Sequence, residues 1–201
     1  MKTLEIEVTF MEDVLGTAPN DEDIYRNFIG SKAPDAQSVE EEVEALGVDA
    51  VAEKGMTVFA RDEDGKPALY DYHWKGHFKD ACSMLKKVSG TKSSECKAFK
   101  KEIDGLIFVN PRLITLEIPE GKTMGVCQRP LRAQTAQGER VALAMSESCP
   151  AGTKCKVEIT CLVDKDVAMV KEWLDYGKLR GIGQWRNASK GRYTYTILEE
   201  Y

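Results

Sequence analysis

Hydrophobic and polar residues alternate from the start of the chain. Leu4, Ile6, Val8 and Phe10 sit between threonines and glutamates, which predicts a half-buried strand over 3–10. After a turn-rich stretch the period changes. Ile24, Tyr25, Phe28 and Ile29 behind Asp21 predict a short helix. Val39, Val43 and Leu46, at i, i+4 and i+7, predict a second helix over 35–46 that Gly47 ends. Strands are expected at 56–61 and 67–72, around a tight turn at Asp64-Gly65. A helix over 74–88 would carry Phe78, Ala81, Cys82, Leu85 and Val88 on one face, and a lysine-rich helix is expected over 93–103. Residues 105–118 read as extended and broken near Pro111, and 121–152 as a polar, glycine-punctuated hairpin projecting from the core. A strong strand is expected at 154–163. The clearest helix follows at 164–179, with Val167, Val170, Trp173 and Leu174 facing inward and Asp164 as its cap. A glycine-rich turn then leads into a last strand.

Two hydrophobic strand–helix passages, one at each end, thus bracket an irregular middle. That order predicts an α+β fold with a ferredoxin-like βαββαβ core in a single domain over 1–201. A helical acidic segment at 20–50 and the hairpin at 121–152 would be insertions.

Composition narrows the class. The chain is 42% hydrophobic and 30% charged, which fits a packed domain and not a disordered one. No apolar run approaches the roughly 20 residues that span a bilayer, and the first strand carries charges where a signal peptide would be apolar. A cytoplasmic location is expected. The six cysteines form no CxxC pair, so reduced packing thiols are expected, with no metal site and no cofactor. Charge is unevenly placed: residues 1–64 hold 17 Asp/Glu against five Lys/Arg, whereas 65–201 hold 16 against 23. A basic remainder beside an acidic third hints at an anionic partner.

Three segments carry candidate chemistry. In 179–194, Gly181, Gly183 and Gly191 permit positive φ or close backbone approach, and exposed N–H groups in such a loop can cradle phosphates. Arg180, Arg186, Lys190 and Arg192 add charge, and Trp185 and Tyr193 offer stacking faces for bases. The same residues also suit a tight helix-to-strand turn with a core tryptophan. In 70–85, His73 and His77 stand four apart, as do Lys75 and Lys79, at the start of a helix that could hold an anion. The histidines lack a third ligand for a metal, and no nucleophile accompanies them. The hairpin carries Gln128, Arg129, Arg132, Gln134, Thr135 and Gln137, which suit a nucleic-acid backbone, a protein partner or plain solvation. Asp71, Asp80 and the run Glu40, Glu41 and Glu42 show no paired-carboxylate or metal-ligand spacing.

Taken in order, these pieces resemble the RAMP superfamily, the RNA-binding subunits of CRISPR effector complexes. Residues 7–18 resemble its opening strand and glycine-containing loop. Residues 67–81 resemble its segment entering a helix, through Lys75, Gly76, Phe78 and Lys79. Gly181, Gly183 and Gly191 match its C-terminal glycine-rich loop. Two departures stand out: Tyr72, His73 and Trp74 replace the usual small residues before the lysine, and the acidic segment 20–50 is additional. The resemblance implies a RAMP- or RRM-like fold and a non-catalytic protein that binds RNA or another single strand. Backbone phosphates would meet Lys75, Lys79, Arg180, Arg186, Lys190 and Arg192, and a CRISPR-type or host complex would be a further partner. Two alternatives remain open. One is a phage-encoded interaction module that acts against host defence through its acidic helices. The other is a metal-independent RNA endonuclease using His73 and His77.

Overall fold

The computed structural model describes residues 1–20, 56–135 and 138–201, with residues 131–143 described by backbone alone. The two helices expected in 21–29 and 35–46, and the acidic segment built on them, lie outside the described residues. The described strands are β1 (Lys2–Phe10), β2 (Val14–Leu15), β3 (Ala18–Pro19), β4 (Thr57–Val58), β5 (Ala60–Arg61), β6 (Pro67–Tyr70), β7 (Ile107–Asn110), β8 (Leu113–Thr115), β9 (Gly125–Thr135), β10 (Gly138–Cys149), β11 (Lys154–Cys161) and β12 (Tyr193–Glu200). The described helices are α1 (Asp71–Leu85), α2 (Phe99–Leu106) and α3 (Asp164–Arg180).

The main sheet is antiparallel, in the order β12-β1-β11-β7. Counting only the strands of the βαββαβ series, this order is fourth, first, third, second, which is the ferredoxin-like arrangement. Period-2 alternation gives the sheet two unlike faces. On one face Leu4 pairs with Ile159, Ile6 with Val157 and Val8 with Cys155, all buried. Helices α1 and α3 cover that face with Trp74, Phe78, Ala81 and Cys82 from one and Val167, Val170, Trp173 and Leu174 from the other. The rings of Phe78 and Trp173 meet with centroids 5.6 Å apart. On the opposite face Glu5 stands opposite both Glu158 and Glu199, so three carboxylates form a row across three strands. Cross-strand like charges repel, which keeps this row toward water, and next to it Glu7 stands opposite Lys156 and pairs with Lys154 at 2.8 Å.

Two smaller sheets flank the core. One, β5-β6-β8, closes around Asp62, whose Oδ1 accepts the N–H groups of Asp64 and Lys66 at 3.0 and 2.8 Å. The other runs β2-β10-β4-β3, with β9 paired to β10. The base of the hairpin β9–β10 is therefore held in this sheet, while among the described residues its outer ones pair only with each other. At its base Ser148 and Cys149 pair with Leu15 and Val14, and Ser146 pairs with Thr57. There the polar residues are satisfied by one another, as in the 2.6 Å contact of Thr57 and Ser146 hydroxyls.

Three boundaries differ from the sequence pattern. Helix α1 begins at Asp71, because the Tyr70 N–H donates to His73 Nδ1 at 3.2 Å and the Asp71 N–H to the Arg112 carbonyl at 3.0 Å. The helix expected over 93–103 is a short 3₁₀ turn, Lys92–Glu95, then a break, then α2. Cys96 is buried at that break, and its extended backbone (φ −80, ψ 112) cannot continue a helix. Asp164 is the first residue of α3 and makes no side-chain cap; instead it lies 3.4 Å from the N-terminal ammonium.

Candidate nucleic-acid interface

The two segments that sequence reasoning kept apart, the start of α1 and the glycine-rich loop, face one another across a cavity of about 340 Å³. Thr17, Tyr72, His73 and Gly76 form one side, and Ile182, Gly183 and Arg186 the other, with His77 between.

The histidines are held by different partners. His73 Nδ1 accepts the Tyr70 N–H, so the neutral ring carries its proton on Nε2 and donates to Thr17 Oγ1 at 2.9 Å. Burial lowers its pKa, against the pull of Asp71. One turn on, His77 is 2% exposed, and its Nε2 lies 2.9 Å from the Tyr193 hydroxyl. Burial drives the pKa of His77 down to about 4, outweighing the nearby Asp80. Gly177 makes this contact possible, because a Cβ there would overlap the Tyr193 ring.

A pH dependence follows from the His77 shift. Below pH 6.5 the unfolded chain takes up a proton that the folded ring refuses, so stability present above pH 6.5 is lost as pH falls toward about 4. The loss should amount to about 3 kcal/mol over that window. Denaturant unfolding at pH 7, 5.5 and 4.5 reads it, and His77→Gln should flatten the slope. An unchanged slope in that variant would assign the acid sensitivity to other groups.

The loop itself divides into two kinds of glycine. Gly181 and Gly191 are where two stretches of backbone touch. The Ile182 N–H donates to the Gly191 carbonyl at 3.0 Å, and the Gly191 N–H to the Asp13 carbonyl at 2.8 Å. A Cβ on Gly181 would come 2.5 Å from the Lys190 carbonyl, and one on Gly191 would collide with that of Ile182. Gly183, at φ +85, has more room and lines the cavity. Trp185 then adopts φ +53, a conformation that bulky side chains rarely take, and the residue is 38% exposed. The guanidinium of Arg129 lies 5.4 Å from that ring's centroid. Arg129 is itself buried, donating to Ser146 Oγ at 3.0 Å and Gln184 Oε1 at 2.6 Å. It supports the tryptophan from within the hairpin base and does not present its charge to solvent.

Most of the expected cations already have partners. Asp80 Oδ2 accepts from Arg186 Nη1 at 2.7 Å and Arg180 Nε at 3.1 Å, and Arg180 also donates to Asn187 at 2.6 Å. Lys190 pairs with Asp13 at 2.8 Å, and Arg192 Nε donates to the Lys178 carbonyl at 2.8 Å. Lys75 and Lys79 point away from the loop: Lys79 pairs with Asp104 at 2.6 Å, and Lys75 donates to the Asp104 carbonyl and lies over the Phe108 ring. Arg132 sits on β9 opposite Val141. Tyr193, expected as a stacking face, is fully buried. The structure thus gathers Gly183, Arg186, His73 and His77 at one site, with Trp185 next in the chain on its rim, and sends Lys75 and Lys79 elsewhere.

Sequence reading passed over Thr17 and Gln184 and set Asp80 aside. Thr17 and Gln184 gave no local signal, since their partners are 56 and 55 residues away. Asp80 did give one: with His73 and His77 it completes an i, i+4, i+7 set on one helix face.

No protein-family model matches the chain, and no curated protein matches it. Solved structures do share its fold. A chain in the cryo-EM structure of a Type III-B Cmr-beta complex bound to cognate target RNA aligns over 100% of this chain, with a TM-score of 0.53 and 9% identity. This chain spans 60% of that subunit's length. A chain of a Type IV-B CRISPR complex aligns over 98% of this chain and 90% of its own, with a TM-score of 0.50 and 12% identity. This chain therefore shares its fold with chains of these two CRISPR complexes. Among the described residues, no helix is long and apolar enough to cross a membrane.

Proposed function

We propose that this protein binds single-stranded RNA without cleaving it, as a RAMP-like component of a CRISPR-type effector complex. The carrying observation is the edge formed by Gly183, Trp185 and Arg186 beside the cavity. A partly exposed tryptophan, braced by a buried arginine, offers one base a stacking face, and the next residue, Arg186, could turn part of its charge from Asp80 to the phosphate. The Type III-B neighbour's description as RNA-bound supports the same reading. The histidines fit cleavage poorly. Both nitrogens of His73 are engaged, and His77 is buried with a pKa of about 4, too weak a base to shuttle protons at neutral pH.

The test is binding of the purified chain to labelled single-stranded RNA at two salt concentrations, with the gel also scored for shortened product. Intact RNA should be retained at low salt. Affinity should fall as salt rises, with a log–log slope of about 0.7 per phosphate contacted. Absence of binding at both salts would defeat the proposal, and shortened product would replace it with the endonuclease reading.

A further inference from the structure

A second concave site lies near the opposite end of α3, about 20 Å along the helix from the glycine-rich loop. Residues 86–101 hold six lysines (86, 87, 92, 97, 100 and 101) and one acidic residue, Glu95. All six lysines are exposed. Among the described residues none of them forms an ion pair, in contrast to Arg180, Arg186 and Lys190 in the loop. An anion meeting Lys92 and Lys97 displaces no carboxylate from them, and only Lys165, 3.9 Å from Glu102, would have to share its charge.

The segment is anchored to α3. The carboxylate of Glu172 accepts the N–H groups of Lys92 and Ser93 at 2.7 and 3.0 Å and the Ser93 hydroxyl at 2.5 Å. Trp173 Nε1 donates to the same hydroxyl at 2.9 Å. Between this turn and α3 lies a cavity of about 470 Å³, within the range of small-molecule sites. Lys92, Lys97 and Lys165 stand around it, and Cys96, Ala168 and Met169 give it an apolar part. Cys96 and Met169 are each only 6% exposed. Burial pushes the Cys96 thiol up to about 12, so it adds no charge at neutral pH. Glu95 and Glu102 also line the cavity. Glu102 is engaged with the Cys96 thiol at 3.5 Å and stands 3.9 Å from Lys165, and among the described residues the ammonium groups of Lys92 and Lys97 have no acceptor.

We propose that this cavity is a nucleotide-phosphate site, with the phosphate at Lys92, Lys97 and Lys165 and the planar body against Ala168 and Met169. Lysine acts here as a point charge for phosphate, and the volume exceeds what a bare phosphate fills. The ligand is a free nucleotide or one nucleotide of a strand, since both present the same chemistry. The site is separate from the Trp185 edge and stands whether or not RNA binds there.

The experiment follows the methyl resonance of Met169 in the full chain, assigned with Met169→Leu, during titration with AMP, inorganic phosphate and a short single-stranded RNA. AMP should shift the resonance, and Lys92→Gln/Lys97→Gln should weaken the effect at least tenfold while leaving the melting temperature unchanged. A shift from RNA but not AMP, with the same sensitivity to the double variant, assigns the site to a strand. No shift from either, or a shift that the double variant leaves intact, overturns the proposal. Inorganic phosphate matching AMP in affinity also overturns it, because the apolar part would then contribute nothing.

Discussion

Gly191→Ala should be among the most destabilising single-methyl changes in this protein, lowering stability by about 3 kcal/mol. Two costs combine. At φ +71 a side chain is strained wherever it points, and here the new Cβ also meets the Ile182 carbonyl, which belongs to the strand of backbone that Gly191 hydrogen-bonds. The loop would have to open, losing the Ile182–Gly191 and Gly191–Asp13 bonds together. In a chain of this size the expected loss corresponds to roughly 6–12 °C in melting temperature. Gly90→Ala is the matched control: its φ is +84, but nothing lies within 4 Å of the added atom. It carries only the conformational cost, about 1 kcal/mol. Thermal melts of the two variants therefore separate close approach from backbone strain. Equal losses would mean that the loop has slack at Gly191 and that its closure is not what the glycine secures.

Trp185→Ala should weaken RNA binding by about tenfold or more, since one base–aromatic stack is worth about 1–3 kcal/mol. The fold should survive, because Trp185 is 38% exposed and the replacement remains a non-glycine at φ +53. Trp185→Gly makes the argument sharper. It removes the same stack but relieves the positive φ, so it should bind as poorly as the alanine variant while melting later. Loss of binding with a gain in stability is the mark of a strained residue kept for contact. Fluorescence anisotropy with labelled RNA, paired with melts, reads both quantities. Full affinity in a folded Trp185→Ala protein would take the loop out of the interface.

The elements most legible in the sequence were those whose burial repeats regularly. Leu4, Ile6, Val8 and Phe10 announce β1, and Val167, Val170, Trp173 and Leu174 announce α3, because one period identifies each element and its inner face. The start of α1 was misplaced by three residues. Its first turn, Asp71–His73, is rich in aromatic residues that favour strands, and it is helical because His73 and the Arg112 carbonyl satisfy its entering N–H groups. The base of the hairpin looked too polar to be interior. Its polar atoms find one another only when β10 lies between β9, β2 and β4.

By itself the sequence determined the α+β class, the order of strands and helices in the core, and the glycines that the C-terminal loop requires. Each of these depends on neighbours within a few residues, through alternation, helical spacing or backbone freedom. Only the tertiary structure decided which cations are free. Arg180 and Arg186 share a carboxylate about 100 residues away, whereas among the described residues Lys92 and Lys97 pair with none. It also decided that the loop and the start of α1 enclose one cavity, and that Arg129 turns inward to brace Trp185. Pairing, enclosure and bracing join residues far apart in the chain, and local pattern carries no record of such contacts.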